Sequence, residues 1–331
     1  MKRIKWNMLI LMSVLLSMVA GCGKRADVAE NSDGYIDSVK IEEVILEDEA
    51  VALGQTPDAR PAVMNHIAKV EASGTAEKRS DKAVIDHSNT SDGYIMVQFT
   101  GDTSKRLKVQ VKGPATTYTY NLSAKQWTTF PLSDGNGNYQ VSVFENIADD
   151  RYALVLATTF AVELKDEFAP FIRPNQYVAY DAAPKSVEKA KEITNGITEP
   201  LKKVEAVYDY TVKTISYDTV KAENVKSGYL PVLDTVLAEK KGICFDYAAL
   251  MTGMLRSQNV PCKLIVGYAG NLYHAWISVW TDENGWVDGV IYFDGHAWHR
   301  MDPTFASSGN QNEQVMKYIG DGSNYTAKYI Y

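Results

Sequence analysis

At Ala169-Pro170 and Arg173-Pro174 the hydrophobic period of the chain changes, and no single-layer fold can accommodate both halves. Upstream, short segments alternate apolar and polar residues: Tyr94-Ile95-Met96-Val97-Gln98-Phe99, Leu107-Lys108-Val109-Gln110-Val111, Thr117-Tyr118-Thr119-Tyr120, Tyr139-Gln140-Val141-Ser142-Val143-Phe144 and Tyr152-Ala153-Leu154-Val155-Leu156. Gly113-Pro114 and Asp134-Gly135-Asn136-Gly137-Asn138 separate them as turns. Such half-buried strands predict a small antiparallel β-sandwich over 91–170. Downstream, Val187, Ala190 and Ile193 mark one helical face, and Leu201, Val204, Val207-Tyr208, Thr211-Val212 and Ile215 mark another, with Thr198 as the expected N-cap. Further strands follow, so residues 171–331 read as an α+β domain able to supply both faces of its own core. A length of 331 residues, 45% hydrophobic, provides material for both units.

The first 21 residues stand apart. Lys2, Arg3 and Lys5 precede an apolar run from Met8 to Ala20, and 13 residues fall short of the ~18 needed to span a bilayer. The segment reads as an export signal. Its ending, Val19-Ala20-Gly21-Cys22, resembles the lipobox of bacterial lipoproteins. That resemblance implies cleavage before Cys22, lipid attachment to its sulfur, and a mature protein held on the extracytoplasmic face of a membrane without crossing it. Residues 22–90, rich in charge and nearly devoid of aromatic side chains, read as a largely flexible tether. Loss of the signal's three positive charges takes the formal net charge from −7 to −10. An acidic chain without a basic run does not suit nucleic acid as a partner.

Two cysteines remain after Cys22. Ile243-Cys244-Phe245-Asp246-Tyr247-Ala248-Ala249-Leu250-Met251 opens a helical pattern that runs to about Arg256, and Cys262 follows at its far end. At ~1.5 Å per residue that helix separates the thiols by roughly 18 Å, whereas a disulfide needs Cα atoms within ~7 Å. Cys262, in an apolar run, reads as a buried small hydrophobe. Cys244 falls at a helix N-terminus, where unpaired N–H groups and the dipole favour thiolate. Asp246 either assists that site or caps the helix. Downstream, Tyr273-His274-Ala275-Trp276-Ile277-Ser278-Val279-Trp280 reads as a strand, and Asp302 follows a further strand pair, 290–293 and 297–301. Nucleophile, base and orienting acid are the parts that covalent catalysis requires.

Gly242-Ile243-Cys244-Phe245-Asp246-Tyr247-Ala248, Tyr273-His274-Ala275-Trp276 and Met301-Asp302-Pro303-Thr304 resemble, in order, the three blocks of the transglutaminase-like family. Tyr229-Leu230-Pro231 and Gly267-Tyr268 fit the family's approach to the first two. The resemblance implies a papain-like fold over 171–331, with the helix bearing Cys244 packed on an antiparallel sheet. It also implies a triad: Cys244 attacks an amide carbonyl, His274 moves the proton and Asp302 holds the imidazole, giving a thioester that water or an amine resolves. Substrates would be proteins or peptides at the cell envelope, with hydrolysis favoured over cross-linking. The alternative is a non-catalytic binding or scaffold lipoprotein with a vestigial fold. The backbone N–H of Cys244 can serve half an oxyanion hole; Tyr217 and Tyr229 are candidates by position for the second donor. No cofactor is expected, and His296 and His299 lack the third ligand that a metal site needs.

Overall fold

The computed structural model describes residues 68–281, 285–288, 290–293, 298–301 and 325–331. The signal segment, Cys22, most of the expected tether, His296 and Asp302 lie outside them.

Two four-stranded antiparallel sheets build the upstream half. One runs β1-β2-β3-β6, from Glu77–Arg79 (β1), Ala83–Asp86 (β2), Tyr94–Phe99 (β3) and Thr128–Pro131 (β6). The other runs β5-β4-β7-β8, from Leu107–Lys112 (β4), Thr117–Leu122 (β5), Gly137–Ala148 (β7) and Arg151–Val162 (β8). Ile85, Ile95, Val97 and Phe99 share one core with Val109, Val111, Val141 and Val143, all without solvent exposure. β1 and β2 fall inside the span expected to be tether, so the sheet begins earlier than the alternation after Tyr94 indicated. A polar anchor secures this stretch: the buried Asp86 carboxylate accepts from Gly74 N at 2.7 Å and Ser88 N at 2.9 Å.

The junction runs along the prolines. Arg173 donates to Asp92 at 2.7 Å and to the Ala169 carbonyl at 2.9 Å. Gly93 adopts φ 79°, and a β-carbon there would stand 2.5 Å from Pro170 N. Position 93 therefore admits neither another backbone conformation nor a side chain. Tyr118 and Tyr120 of β5 meet Tyr331 edge-on at 5.7 and 5.9 Å, and Tyr177 meets Tyr331 at 4.6 Å. The hydrophobic core therefore runs unbroken from the sandwich into the downstream half.

Five helices follow among the described residues: Pro184–Ile193 (α1), Pro200–Thr214 (α2), Thr219–Asn224 (α3), Leu233–Glu239 (α4) and Cys244–Ser257 (α5). α2 starts at Pro200 with Glu199 as N-cap, not Thr198, because proline at the first helical position fixes the turn and donates no N–H. α5 is apolar on nearly every face and is buried accordingly; of its residues from Cys244 to Arg256 only Phe245 is not fully enclosed. It packs on Cys262–Ala269 (β11) and Leu272–Thr281 (β12). Cys262, Leu264 and Val266 pair in register with Val279, Ile277 and Ala275, and these join the core that holds α5. The sheet order is β13-β12-β11-β16, with Gly285–Asp288 (β13) and Tyr325–Ile330 (β16) at its edges. Val290–Phe293 (β14) and Trp298–Met301 (β15) form a separate antiparallel pair. The chain is thus α+β, with the helix bearing Cys244 packed on an antiparallel sheet.

Candidate active site

The start of α5 is assembled from both sides. Lys240 ends α4 in the left-handed conformation, φ 52°. The two-residue strand Lys241–Gly242 (β10) then pairs in parallel with Ser216–Tyr217 (β9), setting Gly242 beside Tyr217. Asp218 N donates to the Gly242 carbonyl at 2.8 Å. Ile243 is extended, and Cys244 is the first helical residue, 4% exposed. Its thiol therefore stands where the helix presents N–H groups that have no acceptor in a preceding turn, a setting that favours negative charge.

Asp246, one position beyond Phe245, closes the turn. Its carboxylate, fully buried, accepts from Ile243 N at 2.9 Å, from Lys221 Nζ at 2.7 Å and from the Tyr229 hydroxyl at 2.6 Å. Lys221 Nζ also donates to Tyr229 Oη at 2.5 Å. Gly242 makes room for this: a β-carbon there would come within 2.6 Å of Asp246 Cβ. Of the two alternatives for Asp246, capping is thus what the structure shows directly.

His274 lies on β12, directly opposite Gly267 of β11, and is 3% exposed. Trp276 and Tyr325 flank its ring, each with centroids 6.3 Å away, and stand 5.2 Å from one another. Gly267 lies at a register shift where β16 crosses close, and a β-carbon would stand 2.0 Å from the Thr326 carbonyl oxygen. Glycine at 267 is what lets β16 approach, and β16 brings Tyr325 to His274.

The structure thus places Cys244 and His274 on packed neighbouring elements, α5 and β12, both buried. The third expected member, Asp302, lies outside the described residues, as does the lipid-attachment candidate Cys22. Tyr217 sits partly buried and pairs with Gly242, two residues before Cys244. Tyr229 does not keep its expected role: its single proton goes to Asp246, and burial followed by that carboxylate pushes the hydroxyl above the usual tyrosine range. Lys221 is the residue that sequence reasoning missed. Among the described residues no group of three or more His, Cys, Asp or Glu side chains is disposed to hold a metal ion.

Against this geometry, residues 187–288 match the model of the transglutaminase-like superfamily. The segment is a transglutaminase-like domain. It includes Cys244 and His274 and stops short of Asp302. A UPF0252 protein of Methanocaldococcus jannaschii is 28% identical over 178 residues, 47% of this chain and 49% of that protein. A protein-glutamine gamma-glutamyltransferase of Pseudomonas aeruginosa is 27% identical over 109 residues, 28% of this chain and 14% of the enzyme. The chain thus spans at most half the length of these two relatives. Among solved structures, the periplasmic domain of TgpA from Pseudomonas aeruginosa, bound to ethylmercury, is 17% identical with a TM-score of 0.33, covering 72% of this chain and 77% of that one.

Proposed function

We propose that the transglutaminase-like domain is a cysteine enzyme that cleaves or transfers the acyl group of protein or peptide amides at the cell envelope, with Cys244 as nucleophile. The observation that carries this reading is a cysteine heading a buried helix, packed on the strand that bears a buried histidine, within the family-matched segment. The Cys244 thiolate adds to the amide carbonyl, and the C–N bond breaks as His274 protonates the departing amine. The resulting thioester is resolved by water or by an amine acceptor, and free Cys244 is regenerated. Asp302 orients the imidazole, and Tyr217 with the Cys244 amide offers the oxyanion its donors. Water is the favoured acceptor, so the product is a hydrolysed amide. Lipid on Cys22 keeps the enzyme on the extracytoplasmic face, where envelope proteins and peptides are its substrates.

Incubation of the exported protein with a peptide library, read by mass spectrometry, tests the proposal. Cleaved or deamidated peptides that vanish with Cys244→Ala and with His274→Ala are the expected result. Products that persist in Cys244→Ala would remove Cys244 as the nucleophile, and none with the unmodified protein would leave the non-catalytic binding reading in its place.

A further inference from the structure

We propose that the pair formed by the part-buried Lys221 and the buried Asp246, closed by Tyr229, positions the nucleophile and holds the charge beside it near zero. The inference rests on Cys244 being the reactive thiol. Its starting point is that a helix N-terminus needs no such pair. An acid in the first turn is stabilised by the dipole while remaining in water. Asp246 is instead without exposure, and each of its oxygens is held: Oδ2 by Ile243 N and Lys221 Nζ, Oδ1 by Tyr229 Oη. Lys221 comes from α3, 25 residues upstream, and its ammonium also lies over the Tyr229 ring at 4.2 Å. Asp218, through its side chain, caps α3 by accepting from Lys221 N at 2.9 Å, and its own N–H holds the Gly242 carbonyl at 2.8 Å. The same few residues therefore fix Gly242 and Ile243 from opposite sides, and Cys244 is the next residue. Any shift of the carboxylate moves the peptide that carries the nucleophile.

Charge gives the second half of the argument. A lone carboxylate two residues from Cys244 would oppose thiolate formation, and a lone ammonium would promote it. Paired, they cancel, leaving helix and histidine to set the thiol's reactivity. Among the described residues, the other ionisable groups around Cys244 include Lys241, paired with Asp218 at 3.2 Å, Glu239, whose charge acts on Tyr229, Tyr217 opposite Gly242, and Tyr273 and His274 on β12. Lys221, Asp246 and Tyr229 are positioning residues, since their action reaches the substrate only through the Cys244 backbone and its local field.

The experiment measures the pH dependence of Cys244 alkylation by iodoacetamide in the folded protein. Asp246→Asn leaves Lys221 unpaired and should lower the midpoint by about half a unit or more. Lys221→Gln keeps a hydrogen-bonding side chain beside the carboxylate and should raise it. The double variant should return the midpoint towards that of the parent, while kcat stays reduced in all three and KM changes little. Lys221→Arg should restore both. Identical midpoints in folded variants would overturn the proposal and leave the pair a structural support only. If Asp246→Asn fails to fold, the rise with Lys221→Gln decides alone. These shifts are read on the thiol itself, so a protein inactive on every peptide would refute the proposed activity without touching this result.

Discussion

Cys244 and Cys262 carry the same thiol into opposite surroundings. Neither is in a disulfide. Cys244 begins a helix, whereas Cys262 has no exposure, its Sγ 3.6 Å from Thr252 Oγ1, and burial pushes its pKa up to about 12 from 9.0. Iodoacetamide should therefore modify Cys244 at neutral pH and spare Cys262 until the protein is denatured, as peptide mapping would show. The same shift couples to stability. A thiol whose folded pKa is raised contributes stability that is present below about 9 and lost as pH climbs towards about 12. Cys262→Ala should flatten that part of the alkaline decline in melting temperature. Both settings were legible in sequence, one from an apolar run and one from a helix start. The partners of Asp246 were not. An acid in the first turn is visible by position, but Lys221 and Tyr229 approach from α3 and the loop after it, and no local pattern joins residues that only the fold brings together.

At the scale of elements, helix α5 is held at its far end by Arg256. The guanidinium, fully buried, donates to the main-chain oxygens of Cys262 at 2.9 Å, Arg173 at 2.7 Å and Tyr331 at 2.7 Å. One side chain thus ties the helix to β11, to the junction and to the residue after β16. Burial lowers its pKa to about 10, which still leaves it charged at neutral pH. Arg256→Leu strips three carbonyls of their donor, and a cost of about 3 kcal/mol follows, measurable as a drop in the urea midpoint. Strand β3 was legible because its six residues are strong strand formers although nearly all of them are buried, and β4 and β5 because buried positions alternate with more exposed ones. β2 was hidden for the opposite reason: Ala83, Val84, Ile85 and Asp86 are all buried, so four residues carry no alternating signal. β1, with the sequence Glu77-Lys78-Arg79, has the composition of a tether and is a strand only because β2 pairs with it.

For the molecule as a whole, the junction departs most from expectation. Residues 171–331 have the elements of a separate core, yet Tyr177 and Tyr331 pack on Tyr118 and Tyr120 from the sandwich, and Gln176 donates to the Asn121 carbonyl at 2.7 Å. Periodicity reveals which face of an element is apolar but not which partner covers it. Burial pushes the pKa of Tyr177 up to about 12 and raises those of Tyr118, Tyr120 and Tyr331. These phenols favour the assembled state below their ordinary value near 10, and that contribution is lost as pH rises through the folded values. Spectrophotometric titration should accordingly show a group of tyrosines ionising only as both halves unfold in one transition. A fragment beginning at residue 171 should lose that group and melt at lower temperature.

Strand β16 gives this architecture a direction in time. It lies beside β11, places Tyr325 against His274 and leads into Tyr331 at the junction. A nascent chain halted between residues 275 and 324 already contains Cys244 and His274 but lacks the strand that brings Tyr325 to the imidazole. Its neighbour β11 still has an open edge, and the sandwich has yet to meet its aromatic partners. Synthesis must therefore reach β16 before the thiol and the histidine are housed together.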